Sequence, residues 1–345
     1  MLATTHDRAT APRSRHPWNR YAPGLAVCAA AVAVSMAVNH SLPGVSPLII
    51  AIVLGIGLTN VVSLPEAVSP GITLSAKKLL RLGIVFLGLK LVLSDIIGLG
   101  APMLLVIVCV VAGGILGTVL MGRLMKMRPA QALLIGCGFS ICGAAAVAGV
   151  EGVTDSEEEE VVTAVALVVI FGTLMIPVIP VLGPVLGMNA EMNGLWAGAS
   201  IHEIAQVVAA GGVIGGGALA AAVLVKLARI LMLAPVVAVL SMRQRRLGAD
   251  TATEGKRPAI VPPFIIAFLA MVLLRSTVDL PSRLLGAGNL LQTALLAAAM
   301  FGLGCGVKIR DLVRVGVRPF LLATASTTLV ATIAFTGIEL VHLTG

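Results

Sequence analysis

Eleven stretches of about 20 mostly apolar residues follow one another along this chain, the length a helix needs to cross a bilayer. They run over 21–38, 46–62, 77–94, 101–122, 130–150, 160–186, 194–211, 217–241, 259–276, 284–304 and 319–342. Hydropathy sustained from end to end leaves no polar surface for a soluble core. Charged residues are only 12%, about half of the roughly 25% found in soluble domains. Aromatic residues are 3%, while Gly reaches 38 of 345. Small residues let helix backbones approach closely in lipid, where no hydrophobic drive brings helices together. A membrane barrel would instead alternate apolar with polar residues between aromatic girdles. The expected fold is an all-α polytopic membrane protein of about eleven transmembrane helices. It forms a single transmembrane domain over 21–345, behind a basic segment at 1–20.

The distribution of basic residues supplies a test, because Lys and Arg collect on cytoplasmic segments. With the N-terminus inside, all but five of the 24 Lys and Arg fall on cytoplasmic segments. These include Arg8, Arg13, Arg15 and Arg20 at the start and Lys77, Lys78 and Arg81 after the second span. Arg123, Lys126 and Arg128, then Arg243 to Arg257, then Lys308 to Arg318 complete the set. The exceptions are Arg275 and Arg283 outside, and Lys90, Lys226 and Arg229 within spans. On this count the acidic loop Glu151–Glu160 falls outside, as does the C-terminus. The basic residues alternate with spans and form no contiguous face, so the pI of about 9.7 does not signal nucleic acid. Residues 1–20 are polar and basic, unlike a cleaved signal peptide. The five cysteines lie in or beside apolar stretches and read as small apolar residues rather than a disulfide framework.

A candidate internal repeat relates Gly88, Asp95 and Gly100 to Gly304, Asp311 and Gly316 at one constant offset. The repeat elements are 77–122 and 284–342, and the topology makes them inverted, a common plan among secondary transporters. In 160–186, Pro177, Pro180 and Pro184 predict a kink or an early end.

Three clusters could carry chemistry. Ile135–Gly149 holds Gly136, Gly138, Ser140 and Gly143 with Cys137 and Cys142. Each glycine weakens a helix by about 1 kcal/mol relative to alanine. A break there must line a cavity or pack on protein, and a half-helix starting near Ser140 would aim free N–H groups at an anion. The same glycines would also suit close helix packing. Gly194–Gly212 repeats the Gly-x-Ser texture at Gly198 and Ser200 and adds His202, Glu203 and Gln206. Ionisable groups in a span are costly and functional by default, with a structural hydrogen-bond network as the alternative. The run His202–Gln206 lacks the second histidine of a zinc-protease H-E-x-x-H motif. Finally, Lys226 and Arg229 share a helix face deep in an apolar span. Pairing Glu203 with either would leave one positive charge in the core.

Together these stretches resemble the YeiH-type family of bacterial inner-membrane proteins, which carries a sulfate-exporter label. The matching text is SAKKLLRLGIVFLGLKL at Ser75–Leu91, IGCGFSICGAAA at Ile135–Ala146, EEEEVVTAVA at Glu157–Ala166, GASIHEIAQVVAAG at Gly198–Gly211 and KLARILMLAP at Lys226–Pro235. The family is distantly similar to the bile-acid-symporter and sodium–proton-antiporter group. That similarity implies two discontinuous helices crossing near the midplane, placed here at 135–150 and 197–212. Phe139 and Ala145 stand where many relatives have hydroxyl residues.

The functional expectation is a secondary transporter, not an enzyme, in the bacterial inner membrane with the N-terminus cytoplasmic and the C-terminus periplasmic. Its substrate would be a small anion, with sulfate, sulfite and an organic sulfonate as candidates. Substrate binding is assigned to Gly138, Ser140, Gly143, Ser200, Lys226 and Arg229. Ion coupling by H⁺ or Na⁺, or a buried ion pair, is assigned to His202, Glu203 and Gln206. No cofactor and no metal is expected, and a homodimer is the assembly considered. The alternatives are a cation–proton antiporter and a membrane sensor or subunit without transport.

Overall fold

The computed structural model describes residues 20–41, 46–248, 263–307, 310 and 316–344. The 1–20 segment up to residue 19, Lys256, Arg257, Lys308, Arg314 and the repeat residue Asp311 lie outside the described residues. The described chain is almost entirely helical, with no strand among the described residues. It comprises α1 (Ala22–Ser41), α2 (Pro47–Val61), α3 (Ser69–Leu74), α4 (Leu80–Leu87), α5 (Leu93–Gly98), α6 (Gly100–Leu124), α7 (Pro129–Ser140) and α8 (Ala144–Glu151). Beyond these lie α9 (Glu158–Val185), α10 (Ala190–Ser200), α11 (Ile204–Ile214), α12 (Ala218–Leu231), α13 (Leu233–Gly248), α14 (Pro263–Thr277), α15 (Ser282–Gly306) and α16 (Val317–Thr344). A π-helical turn at Ser75–Leu79 joins α3 to α4. Among the described residues, six helical segments are long and apolar enough to cross a membrane alone: α1, α6, α9, α12 with α13, α15 and α16. The molecule is an all-α, multi-pass membrane protein.

Local chemistry starts and stops these helices. Pro129 opens α7 at a position where its missing N–H costs nothing. Glu157 and Glu160 form a capping box at the start of α9, which satisfies two donors that a helix N-terminus leaves open. Despite Pro177, Pro180 and Pro184, α9 does not end early but stays helical to Val185. Gly100 and Gly316, the last pair of the candidate repeat, both have positive φ, +80° and +88°, and each stands at the start of a long helix.

The helices form two bundles. One, the scaffold, contains α1 to α4, α14 and α15. Its helices touch through glycines: Gly24 meets Gly71, and Gly55 meets Gly304. The other contains α6 to α12 and α16, with α6 and α16 antiparallel and joined by Thr118 to Ser326 at 2.7 Å.

Two of the eleven apolar stretches do not cross. Arg128, just before α7, pairs with Glu157 and Glu160 at the start of α9, and Glu151, ending α8, pairs with Lys77 at 3.2 Å. Both ends of α7–α8 therefore lie on one face of the molecule. A Cβ built on Gly138 would stand 2.9 Å from Val147 Cγ2, so α8 runs back along α7. The segment is a re-entrant hairpin, here hairpin 1. The stretch α10–α11 does the same from the opposite end of α9. A Cβ on Gly216 would stand 3.1 Å from Ala190 Cβ, and one on Gly211 would stand 2.9 Å from Leu219 Cα. This is hairpin 2. The interruptions expected at 135–150 and 197–212 are present, but each chain folds back instead of continuing across.

The acidic loop Glu151–Glu160 accordingly joins Lys77 and Arg128 on the basic face, which corrects its expected position outside. Each hairpin inverts the parity of everything after it, and the second cancels the first. Eleven apolar stretches less the two hairpins leave nine to cross by sequence, an odd number as before.

Candidate functional site

The hairpins enter from opposite faces and their tips meet halfway along α9. Gly138 lies against Val168 and Gly172 lies against Gln206. At the tip of hairpin 1 the chain turns at Gly143, whose φ of +74° and ψ of −135° suit only glycine. A Cβ there would also collide with the carboxylate of Glu203. At the tip of hairpin 2, Ile201 and Glu203 are extended and α11 begins after them. Each hairpin thus places one helix C-terminus and one helix N-terminus at the joint.

The C-termini are held by α12. Arg229 donates five hydrogen bonds, from Nε to Ser140 O (3.1 Å), from Nη2 to Phe139 O (2.9 Å) and from Nη1 to the carbonyls of Gly198, Ala199 and Ile201 (3.1, 2.7 and 3.1 Å). Lys226 Nζ donates to Ile141 O at 2.9 Å and Ile201 O at 2.8 Å. Both cations are fully buried. Unpaired C-terminal carbonyls carry about half a negative charge per helix, which a cation neutralises. Two helix ends facing two cations explain why the chain keeps Lys226 and Arg229 in an apolar span. α12 comes close enough because α10 presents glycines to it: Gly194 lies on Ala218 and Gly198 on Ala222.

The N-termini are held by Glu203. Its Oε1 accepts from Ala144 N at 2.6 Å, the first residue of α8. The same side chain caps its own helix through a capping box with Gln206. Gln206 Oε1 accepts from Glu203 N at 3.1 Å, and its Nε2 donates to Val169 O on α9 at 3.3 Å. Among the described residues no ion pair within 4 Å joins Glu203 to Lys226 or Arg229. The expected pairing is corrected: the carboxylate takes amides and the cations take carbonyls.

His202 is fully buried and packs against Phe139 with the rings tilted by 44° and their centroids 4.3 Å apart. Its Nδ1 lies 3.1 Å from Phe139 O and its Nε2 lies 3.2 Å from Thr327 Oγ1 on α16. A carbonyl only accepts, so Nδ1 carries a proton. Ser140 and Ser200 are fully buried and their hydroxyls have no partner; Ser140 Oγ rests against Gly114.

All nine expected residues converge here. Ser140, Ser200, Lys226, Arg229, His202, Glu203 and Gln206 surround the joint, while Gly138 and Gly143 shape hairpin 1. Residues that went unseen are Phe139, Ile141 and Ile201, which act through their carbonyls, and Thr327. A signal for the carbonyls was present. Gly138, Ser140 and Ile141 recur as Gly198, Ser200 and Ile201 at one constant offset, so both tips share the text G-x-S-I. Thr327 had no such signal.

A cavity of about 1010 Å³ separates the two bundles on the basic face. Thr59, Thr73 and Lys77 line its scaffold side, and Ala148, Glu151, Glu158 and Glu159 line its hairpin side. Ala148 lies on α8 one turn beyond Ala145, which is partly exposed at the tip. From α8 the cavity is lined by Ala148 and Glu151, and none of the residues at the joint lines it. The cysteines are free, four buried and Cys109 exposed.

A family model described as conserved hypothetical protein 698 matches residues 23–323. A UPF0324 membrane protein of Corynebacterium glutamicum is 70% identical over 324 residues, 94% of each chain. One from Bacteroides thetaiotaomicron is 36% identical, covering 81% of this chain and 84% of its own. One from Staphylococcus aureus is 35% identical, covering 84% and 87%. No solved structure matches. With a family model over most of its length and relatives this similar, the chain belongs to the UPF0324 family of membrane proteins, the YeiH type its motifs resemble.

Proposed function

We propose that this protein is a secondary transporter of a small anion, with sulfate, sulfite and organic sulfonates as candidates. One observation carries the reading: two re-entrant hairpins from opposite faces meet tip to tip around two buried cations and one carboxylate. Irregular backbone at membrane depth is tolerated only where it is enclosed by protein or lines a cavity. Transporters place substrate at such half-helix ends. The formal charges of Lys226, Arg229 and Glu203 sum to one positive. That surplus favours an anion, and the unpartnered hydroxyls of Ser140 and Ser200 are donors for it. Lys226 and Arg229 act through their field, since carbonyls take their hydrogen bonds. With the basic face cytoplasmic by the positive-inside rule, the protein sits in the bacterial inner membrane, N-terminus in and C-terminus out. The cavity is then a cytoplasmic vestibule.

One observation favours a second reading, cation–proton exchange. Glu158 and Glu159 line the cavity and take part in no ion pair among the described residues. A thermal-shift panel on the purified protein separates the two. It holds sulfate, sulfite, thiosulfate, taurine, acetate, sodium and lithium across several pH values. A ligand that binds only the folded state adds about 2.7 kcal/mol at a hundredfold excess over its Kd. A shift with a sulfur oxyanion, followed by its flux in proteoliposomes, supports the anion carrier. A shift with sodium or lithium alone moves the assignment to cation exchange.

A further inference from the structure

Glu203 spans the joint. It belongs to hairpin 2, yet its carboxylate holds the first amide of α8 in hairpin 1 at 2.6 Å. The contact is charge-assisted and enclosed, with Glu203 only 8% exposed. Gly143 leaves the space it fills, because any Cβ there would collide with Oε1. The carboxylate is also the single negative side chain facing Lys226 and Arg229 at this depth among the described residues.

Charge balance dictates the effect of protonating Glu203. Two helix C-termini, each about −0.5, face two cations, and two N-termini, each about +0.5, face one carboxylate. The joint holds a surplus of about one positive charge as it stands. Protonation of Glu203 raises the surplus to about two and removes the charge assistance from its bond to Ala144 N–H. A buried imbalance of that size is costly unless countered. A substrate anion that takes over the Ala144 amide counters it.

We propose that Glu203 couples anion uptake to proton uptake. One proton adds to the carboxylate, giving the neutral acid, whose weaker hydrogen bond to Ala144 N–H yields to an anion. A substrate oxygen then accepts from Ala144 N–H in its place. On the other face the anion leaves, Glu203 releases its proton, and the carboxylate returns to the amide. The proposal rests on the anion-transporter reading above. Other groups at the joint are Lys226 and Arg229 from α12, His202 from hairpin 2, and the Cys137 and Cys142 thiols from hairpin 1. α6, α9 and α16 bring hydroxyls and glycines there, with no titratable side chain among the described residues.

The test uses the purified full chain in lipid nanodiscs, in weak buffer with a pH-indicator dye, titrated with sulfate, thiosulfate or acetate. The wild type is expected to take up about one proton per anion bound. Its affinity should weaken about tenfold for each pH unit once Glu203 is ionised, as linkage of one proton requires. Glu203→Gln keeps an oxygen for Ala144 N–H, so it should fold. It should bind the same anion with pH-independent affinity and no proton uptake, whereas His202→Gln should keep the uptake. Anion binding by the wild type without proton uptake overturns the proposal on its own, whether or not any variant folds. Uptake that persists in Glu203→Gln also overturns it. If none of the three anions binds either protein at any pH, the anion reading falls and the coupling falls with it.

Discussion

Hairpin 1 and hairpin 2 share a fold and a tip text, G-x-S-I, yet bring different things to the joint. Hairpin 1 brings backbone: the carbonyls of Phe139, Ser140 and Ile141 and the amide of Ala144. Hairpin 2 brings side chains as well: His202, Glu203 and Gln206. The asymmetry separates the half that holds from the half that is held. Hairpin 1 is grasped by a carboxylate from hairpin 2 and by two cations from α12. Its own charged anchors sit at its base, through Arg128, Glu157 and Glu160.

The largest effect is categorical and attacks the premise that both segments are hairpins. Single cysteines replacing Lys126 and Asp155 should label from the same side of the membrane with an impermeant maleimide. Cysteines replacing Gly187 and Gly215 should both label from the other side. Opposite-side labelling within either pair would replace a hairpin with a crossing helix. The test needs the native cysteines replaced first, since Cys109 is exposed.

Next comes the grip on both tips. Arg229→Ala strips five carbonyls of their donor and should cost about 3–5 kcal/mol, the range for breaking a buried charged network. Loss of monodisperse protein on size exclusion is the expected readout. Arg229→Lys keeps the charge without the planar fork and should recover part of the yield. Equal yields for Ala and wild type would mean that the two tips hold together without α12.

Glycine substitutions set one tip against the other. Gly198→Ala drives a Cβ into the backbone of Ala222, and Gly143→Ala imposes a left-handed φ and displaces Glu203. Each should lower stability by about 1–3 kcal/mol. Only Gly143→Ala should also change the pH dependence of anion binding, because only it touches the carboxylate. The smallest effect is at Lys77 and Glu151, an ion pair between the bundles whose side chains are 47% and 23% exposed. Lys77→Ala should change stability by less than about 1 kcal/mol, and pairing Lys77→Glu with Glu151→Lys should restore it. A larger loss would show that this pair locks the bundles together.

Membrane class and interrupted helices were legible in the sequence because hydropathy and glycine density report on single segments. Hairpin 2 was the easier to find: a Glu in an apolar span stands out by its cost. Direction of travel was not legible. A hydropathy window sees the same apolar length whether the chain crosses or doubles back, and the deciding contacts, such as Arg128 with Glu157, join residues on different elements. The cations misled for a related reason. Sequence alone pairs one of Lys226 and Arg229 with Glu203 and leaves the other as surplus charge, because their actual partners are carbonyls, which every residue has. Their correct role emerges only once two helix C-termini are placed against α12.

The doubling back of both hairpins bears on how orientation is measured. A reporter fused to the C-terminus of this protein reads one side of the membrane whether both segments cross or both turn back. The same holds for any signal collected after α12. Only a reporter inserted between the hairpins, in the segment joining α8 to α9 or α9 to α10, distinguishes the two histories of insertion. An assembly error in one hairpin alone would carry every later helix into the bilayer upside down.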